Sequence, residues 1–187
     1  MLVVLVNGLP AAGKTTLARA LGRELGLPVL AKDAVKETLA DHLPREVSRE
    51  WSRALGTAAG ETLWTLLADS PTGAVVESPW LAHIHHLALA GLARAGVAPE
   101  TTHEVWCEVD HEVARTRYLA RAAHRHPIHR DTVVDVHERF ALWIRNATPI
   151  GAGTVHRVDT NLPVDVAGLA ERIRAAAAGA ARPGTPA

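Results

Sequence analysis

The stretch Gly8-Leu-Pro-Ala-Ala-Gly13-Lys14-Thr15 decides the fold. It matches the spacing G-x-x-x-x-G-K-S/T without a departure, and average residue usage makes a chance match in a chain this long an event on the order of one per cent. Its flanks are the ones such a loop needs. MLVVLVN (1–7) is a continuous apolar, β-branched run, the pattern of a strand buried on both faces. LARALGRELG follows with helical periodicity and Gly26 as a stop. A glycine-rich turn alone would not require this strand–loop–helix order. Backbone N–H groups of the loop and the free end of the helix form an anion cradle. Gly8, Pro10, Ala11, Ala12 and Gly13 are expected to line it. Lys14 is expected to reach the β- and γ-phosphates of a nucleotide, Thr15 to ligate magnesium and Thr16 to assist at the α-phosphate.

Outward from the loop, strands and helices alternate. PVLA (28–31), AVVE (74–77), THEVWCEV (102–109) and TVHRVDT (154–160) read as four further strands. Helices are expected over 33–43 with Asp33 as N-cap, over 44–69 with Gly56 and Gly60 as weak points, and over 81–95. Three more are expected over 111–125, 132–146 and 164–178, and HPIHRD (126–131) reads as a polar loop. This alternation implies an α/β, three-layer domain: a five-stranded parallel sheet with helices on both faces and ligands at the carboxyl ends of its strands. One domain over 1–179 is expected, with residues 180–187 as a disordered tail.

Composition narrows the function. The 187 residues carry 20 basic and 20 acidic side chains, so a general polyanion-binding surface is not expected. Seventeen of the basic residues are Arg, leaving only Lys14, Lys32 and Lys36 as lysines. Cys107 is the single cysteine, which excludes an internal disulfide or a multi-cysteine zinc site. No signal peptide or spanning segment is read, so a cytoplasmic protein without a membrane partner is expected. An N-K-x-D guanine motif is absent, and the third strand ends VVES instead of the apolar run and Asp-Glu of motor ATPases. Small kinases remain.

GLPAAGKTTLA, LAKDAVKE, VVES and ARTRYLAR, in that order, resemble the P-loop small-molecule kinases of the AAA-33 group, with which polynucleotide 5′-kinases, chloramphenicol phosphotransferase and zeta-toxin kinases are grouped. The resemblance implies strand order 2-3-1-4-5, a mobile lid over about 111–131, and an Asp after the second strand as general base. Asp33 occupies that position; capping the following helix is its other reading, and the two can coexist. Glu77 ends the strand implied to neighbour the phosphate loop, where it could hold magnesium-bound water or substrate. Arg117 and Arg121, spaced i,i+4, correspond to the pair that clamps transferring phosphates in the resembled kinases, with Arg125 a third candidate beside the nucleotide. Thr160 and Asn161 fall in the loop implied to lie beside the adenine. Lys36, Trp51 and Trp80 are candidates for acceptor contact, the tryptophans by stacking.

These residues lead to an ATP-dependent kinase that uses magnesium and phosphorylates a hydroxyl of a small molecule such as an antibiotic, a nucleoside or a sugar derivative. A polynucleotide 5′-hydroxyl kinase is the alternative enzyme, disfavoured by the balanced charge. A nucleotide-binding regulator without phosphotransfer is the alternative outside catalysis, disfavoured by a base and an arginine pair that a sensor does not need. Monomer and homodimer both stay open.

Overall fold

The computed structural model describes residues 1–43, 48–129 and 133–180. Five parallel strands form one sheet: β1 (Leu2–Gly8), β2 (Val29–Ala31), β3 (Gly73–Glu77), β4 (His103–Glu108) and β5 (Thr154–Asp159). Their order across the sheet is β2-β3-β1-β4-β5, as the resemblance implies. The most apolar run in the chain therefore occupies the centre. From Val3 to Gly8 every residue of β1 is buried, because strands flank it on both sides and helices cover both faces.

Two cores follow from the alternation of side chains along the strands. On one face Val4, Val6, Val75, Val105 and Val158 pack on Leu17, Ala18 and Leu21 of α1 (Lys14–Leu25). Leu169, Ala170 and Ile173 of α7 (Val166–Ala180) complete that cluster. On the other face Val3, Leu5, Ala74 and Val76 pack on Leu63, Trp64 and Leu67 of α3 (Arg49–Ala68). Ala88 and Leu92 of α4 (His85–Arg94) join them there.

A third, smaller cluster is joined to the first through Val109 and Trp143 and lies in the region of the expected lid. Ala114 and Tyr118 of α5 (His111–Ala120) meet Val136 and Phe140 of α6 (Val133–Arg145), with Trp143 packed against them. The Tyr118, Phe140 and Trp143 rings meet edge to face at centroid distances of 5.2–5.5 Å. Residues beyond α5 are thus carried on a unit with its own apolar contacts.

Several expected boundaries move. α2 is Lys32–His42 and its N-cap is Ala31, with no side-chain capping bond, so Asp33 lies inside the first turn and does not cap the helix. α3 is one continuous helix through Gly56 and Gly60; the apolar stripe Leu55, Ala59, Leu63, Leu67 buried on its inner face outweighs two glycines. It starts at Ser48, whose hydroxyl accepts from Trp51 N; residues 44–47 of the expected helix lie outside the described residues. The helix expected over 111–125 stops at Ala120, and two 3-10 turns follow at Ala122–His124 and Pro127–His129. Residues 130 and 131 of the expected lid lie outside the described residues, as does the expected tail beyond Ala180, which closes α7. Among the described residues no helix is long and apolar enough to cross a membrane.

Candidate active site

The loop between β1 and α1 is built from left-handed residues. Gly8, Ala11 and Gly13 have φ of 142°, 66° and 80°. Ala11 is the strained member, since an alanine rarely takes a positive φ. Left-handed residues of this kind are what lets a loop curl its N–H groups into a concavity around an anion. α1 begins without a side-chain cap, so its first N–H groups stay open toward the same concavity. A Cβ on Gly8 would lie 2.8 Å from the Cys107 carbonyl oxygen, which fixes glycine at that position. Burial pushes the Cys107 thiol up to about 12; it is packing beneath the loop, not a nucleophile.

Lys14 folds back across the loop. Its Nζ donates to Leu9 O at 2.9 Å and the residue is 7% exposed. Leu9 O also accepts from Ala12 N at 3.1 Å, so one carbonyl closes the loop and holds its lysine. Beside it, Thr15 Oγ1 donates to Glu77 Oε2 at 3.2 Å. Glu77, at the end of β3, is buried, and burial pushes its carboxyl up while the Lys14 ammonium pulls it back. A hydroxyl and a carboxylate side by side at the phosphate side of the loop are hard oxygen donors, the chemistry magnesium selects. Thr15 and Glu77 therefore fit the ion. When bound, magnesium neutralises charge on the β- and γ-phosphoryl oxygens.

Asp33, exposed on the first turn of α2, acts electrostatically on Glu77, Lys36 and His129. Lys36 is 9% exposed and donates to Ser52 Oγ at 2.8 Å. Burial lowers its ammonium from the ordinary lysine value, and the Asp33 carboxylate opposes that shift. Trp51 sits half-exposed beside Ser52 on the first turn of α3. Trp80 does not join this group. It is 5% exposed and packs on Trp64 at 5.5 Å, so no ring face is left for stacking on an acceptor. Its backbone is held instead: Asn7 Nδ2 donates to Trp80 O, and Asn7 Oδ1 accepts from Trp80 N and Gly8 N. Asn7 also donates to Glu104, which in turn accepts from Ile150 N and Gly151 N. This brace under the phosphate loop was missed in the sequence, although a lone Asn ending an apolar strand was a visible signal.

The arginines separate. Arg117 Nη1 donates to Thr160 O at 3.2 Å, on the β5 side of the loop. Arg121 is exposed where α5 ends. Arg125 lies over the Tyr118 ring at 4.6 Å and acts electrostatically on Lys36, Glu37 and His129. Arg117 and Arg125 thus have different partners, and Arg125 acts on groups of α2, not beside the β5 loop. Thr160 and Asn161 have committed side chains. Thr160 Oγ1 donates to Glu108 O, and Asn161 is tied to Asp159 and Asp110. Their backbone N–H groups are committed as well, Thr160 N to Glu108 O and Asn161 N to Asp159 Oδ1, so contact with a nucleotide from these two residues would come through carbonyl oxygens.

The Pro127–His129 turn is docked on α2 and α3. Ile128 N donates to His126 Nδ1, so His126 carries its proton on Nε2 and donates it to Asp41 Oδ1 at 3.0 Å. The Ile128 side chain is 2% exposed, and Ser52 Oγ donates to Ile128 O at 2.9 Å. His129 Nε2 lies 3.0 Å from Glu37 Oε1, out of line for a hydrogen bond. Burial pulls the His129 imidazole down to about 4, and burial, with Asp33 adding to it, pushes the Glu37 carboxyl up. Between pH 6.5 and about 4 the unfolded chain takes a proton at residue 129 that the folded chain refuses, so this imidazole costs stability progressively as acid is added across that window. His129→Gln is expected to flatten the fall of melting temperature with acid between pH 6.5 and 4. Parallel melting curves for the two proteins would assign the imidazole no share of it.

With that geometry in view, a family model described as AAA_33, an AAA domain, matches residues 3–143. The chain belongs to the AAA_33 family. A solved protein of Chloroflexus aurantiacus J-10-fl, provisionally classed as a kinase, is similar at 29% identity and TM-score 0.78, over 94% of this chain and 97% of that one. The fold is shared with a gluconokinase of Sinorhizobium meliloti 1021, at 18% identity and TM-score 0.57, over 96% of this chain and 93% of the other. It is also shared with a shikimate kinase of Acinetobacter baumannii in complex with shikimate, at 15% identity and TM-score 0.63, over 97% and 95%. Among curated proteins none matches the sequence. As an AAA_33 member on a kinase fold with an intact phosphate cradle, the chain is an ATP-dependent kinase.

Proposed function

We propose that this kinase moves the γ-phosphate of ATP onto a hydroxyl of a small molecule, with Asp33 as the base. The carrying observation is Asp33 itself: an exposed carboxylate on the first turn of α2, just past β2, that acts electrostatically on Glu77, Lys36 and His129. A hydroxyl set there has a proton acceptor on one side and the γ-phosphoryl on the other. The reaction this reading assigns is an in-line transfer. The hydroxyl oxygen attacks phosphorus, the bond from phosphorus to the β–γ bridging oxygen breaks, and the hydroxyl proton passes to the Asp33 carboxylate. Lys14 balances charge growing on the phosphoryl oxygens. Thr15 and Glu77 would hold magnesium, and Arg117, now bonded to Thr160 O, is placed on the nucleotide side. Lys36 and Trp51 face the acceptor.

A sugar-like or cyclic polyol acceptor suits the class, as the fold is shared with a gluconokinase and with a shikimate kinase holding shikimate. Antibiotics and nucleosides carry the same hydroxyl chemistry. The test is a screen of sugars, polyols, nucleosides, aminoglycosides and a 5′-hydroxyl oligonucleotide for acceptor-dependent ADP release, with product mass read by spectrometry. An 80 Da increment on a small hydroxyl compound is expected, the mass of one added phosphoryl group. An increment found only on the oligonucleotide would replace the small-molecule reading.

A further inference from the structure

The contact between the Pro127–His129 turn and Lys36 runs through one hydroxyl. Ser52 Oγ is 2.8 Å from Lys36 Nζ and 2.9 Å from Ile128 O. A carbonyl can only accept and an ammonium can only donate, so the roles are fixed. Ser52 gives its single hydrogen to Ile128 O and receives one from Lys36. Each bond thus favours the other: a hydroxyl that donates is a better acceptor. The ammonium so held is buried, and burial of an amine is unfavourable without a good partner. The turn also meets α2 through the His126–Asp41 bond and the 3.0 Å approach of His129 Nε2 to Glu37 Oε1.

We propose that Ser52 is a positioning residue that makes docking of the 126–129 turn and burial of the Lys36 ammonium a single event. With the turn undocked, water competes for Ser52 and for Lys36 alike, and the ammonium is free to leave. The acceptor side of the site is then complete only when the turn covers it. The use of this coupling rests on the phosphotransfer reading above, since it lets Lys36 meet an acceptor only in a covered site.

The chain has three lysines, Lys14, Lys32 and Lys36, so amine labelling reads Lys36 cleanly. The full-length protein is treated with trace acetic anhydride at pH 8, and acetylation of Lys36 relative to half-exposed Lys32 is read by peptide mass spectrometry. Ser52→Ala is expected to raise that ratio about tenfold, the shift that loss of a hydrogen bond to a charged group gives. Ser52→Thr, which keeps the hydroxyl, should return it to the wild-type value. His126→Ala leaves Ser52 and Lys36 in place but loosens the turn, and it should raise the ratio as Ser52→Ala does.

Three results would overturn the coupling. An unchanged ratio in Ser52→Ala would mean that Ser52 does not hold Lys36. A raised ratio in Ser52→Thr as well would assign the effect to helix packing. A wild-type ratio in His126→Ala beside a raised one in Ser52→Ala would show that Ser52 holds Lys36 whether or not the turn is docked. None of these readings needs turnover. A failed acceptor screen would remove the phosphotransfer reading and leave the labelling result standing.

Discussion

Lys14→Ala is expected to cut kcat by about 100- to 1000-fold, the effect of removing one preorganised donor from a site where charge develops. The ammonium now folded onto Leu9 O lies at the mouth of the nest formed by Gly8, Ala11 and Gly13. When a γ-phosphoryl group occupies the cradle it can exchange that carbonyl for phosphoryl oxygens. A second effect comes from Glu77. Burial already pushes its carboxyl up, and the Lys14 ammonium is the first influence holding it down. Without Lys14 the protonated form of Glu77 gains ground, and a protonated carboxyl is a poor magnesium ligand. The variant should therefore require more magnesium for half-maximal residual activity, and raising the pH should narrow that difference. Initial rates across a magnesium series at two pH values, with melting temperature as the folding control, make the measurement. A folded Lys14→Ala protein with near-wild-type turnover would remove the phosphate-cradle assignment.

What the sequence disclosed and what it hid divide by the range of the interactions involved. The MLVVLVN run and the glycine spacing are local, and the central strand and the loop can be read from them directly. Strand order could not be read locally; it came with the family resemblance. The Gly56 and Gly60 positions misled because intrinsic propensity is weak beside the burial of Leu55, Leu63 and Leu67 against other elements. Trp80 looked available because nothing nearby in sequence covers it, whereas Trp64 does so across the fold. The arginines show the same limit. A continuous helix to residue 125 would have carried Arg117, Arg121 and Arg125 on one stripe. The end of α5, with Arg121 as its C-cap, takes Arg125 off that stripe and onto Tyr118. Ser52 and Ile128 are 76 residues apart, and no spacing rule joins them.

Asp33→Asn is expected to lower kcat by about 100- to 10,000-fold, the range for loss of a positioned general base, and to leave ATP affinity close to wild type. The folding consequence should be small. Asp33 is exposed and does not cap α2, so the loss is that of a favourable charge in a first helical turn, about 0.3–1 kcal/mol. A structural role would show the reverse pattern, with a lowered melting temperature and kcat preserved. Lys36 offers an internal check on the same variant. Its ammonium is disfavoured by burial and supported by the Asp33 carboxylate. Removing that carboxylate weakens the support, so Lys36 loses its proton at lower pH in the variant. If the charged ammonium helps to hold the acceptor, the residual activity of Asp33→Asn should decline with rising pH earlier than wild-type activity does. Asp33→Glu keeps the charge and displaces it by one methylene. It should restore the alkaline limb while recovering only part of kcat, which separates the electrostatic contribution of Asp33 from its position as a base. Full turnover in a folded Asn variant would leave Asp33 no part in the proton transfer, and the acceptor would then have to give its proton to the phosphoryl oxygens themselves.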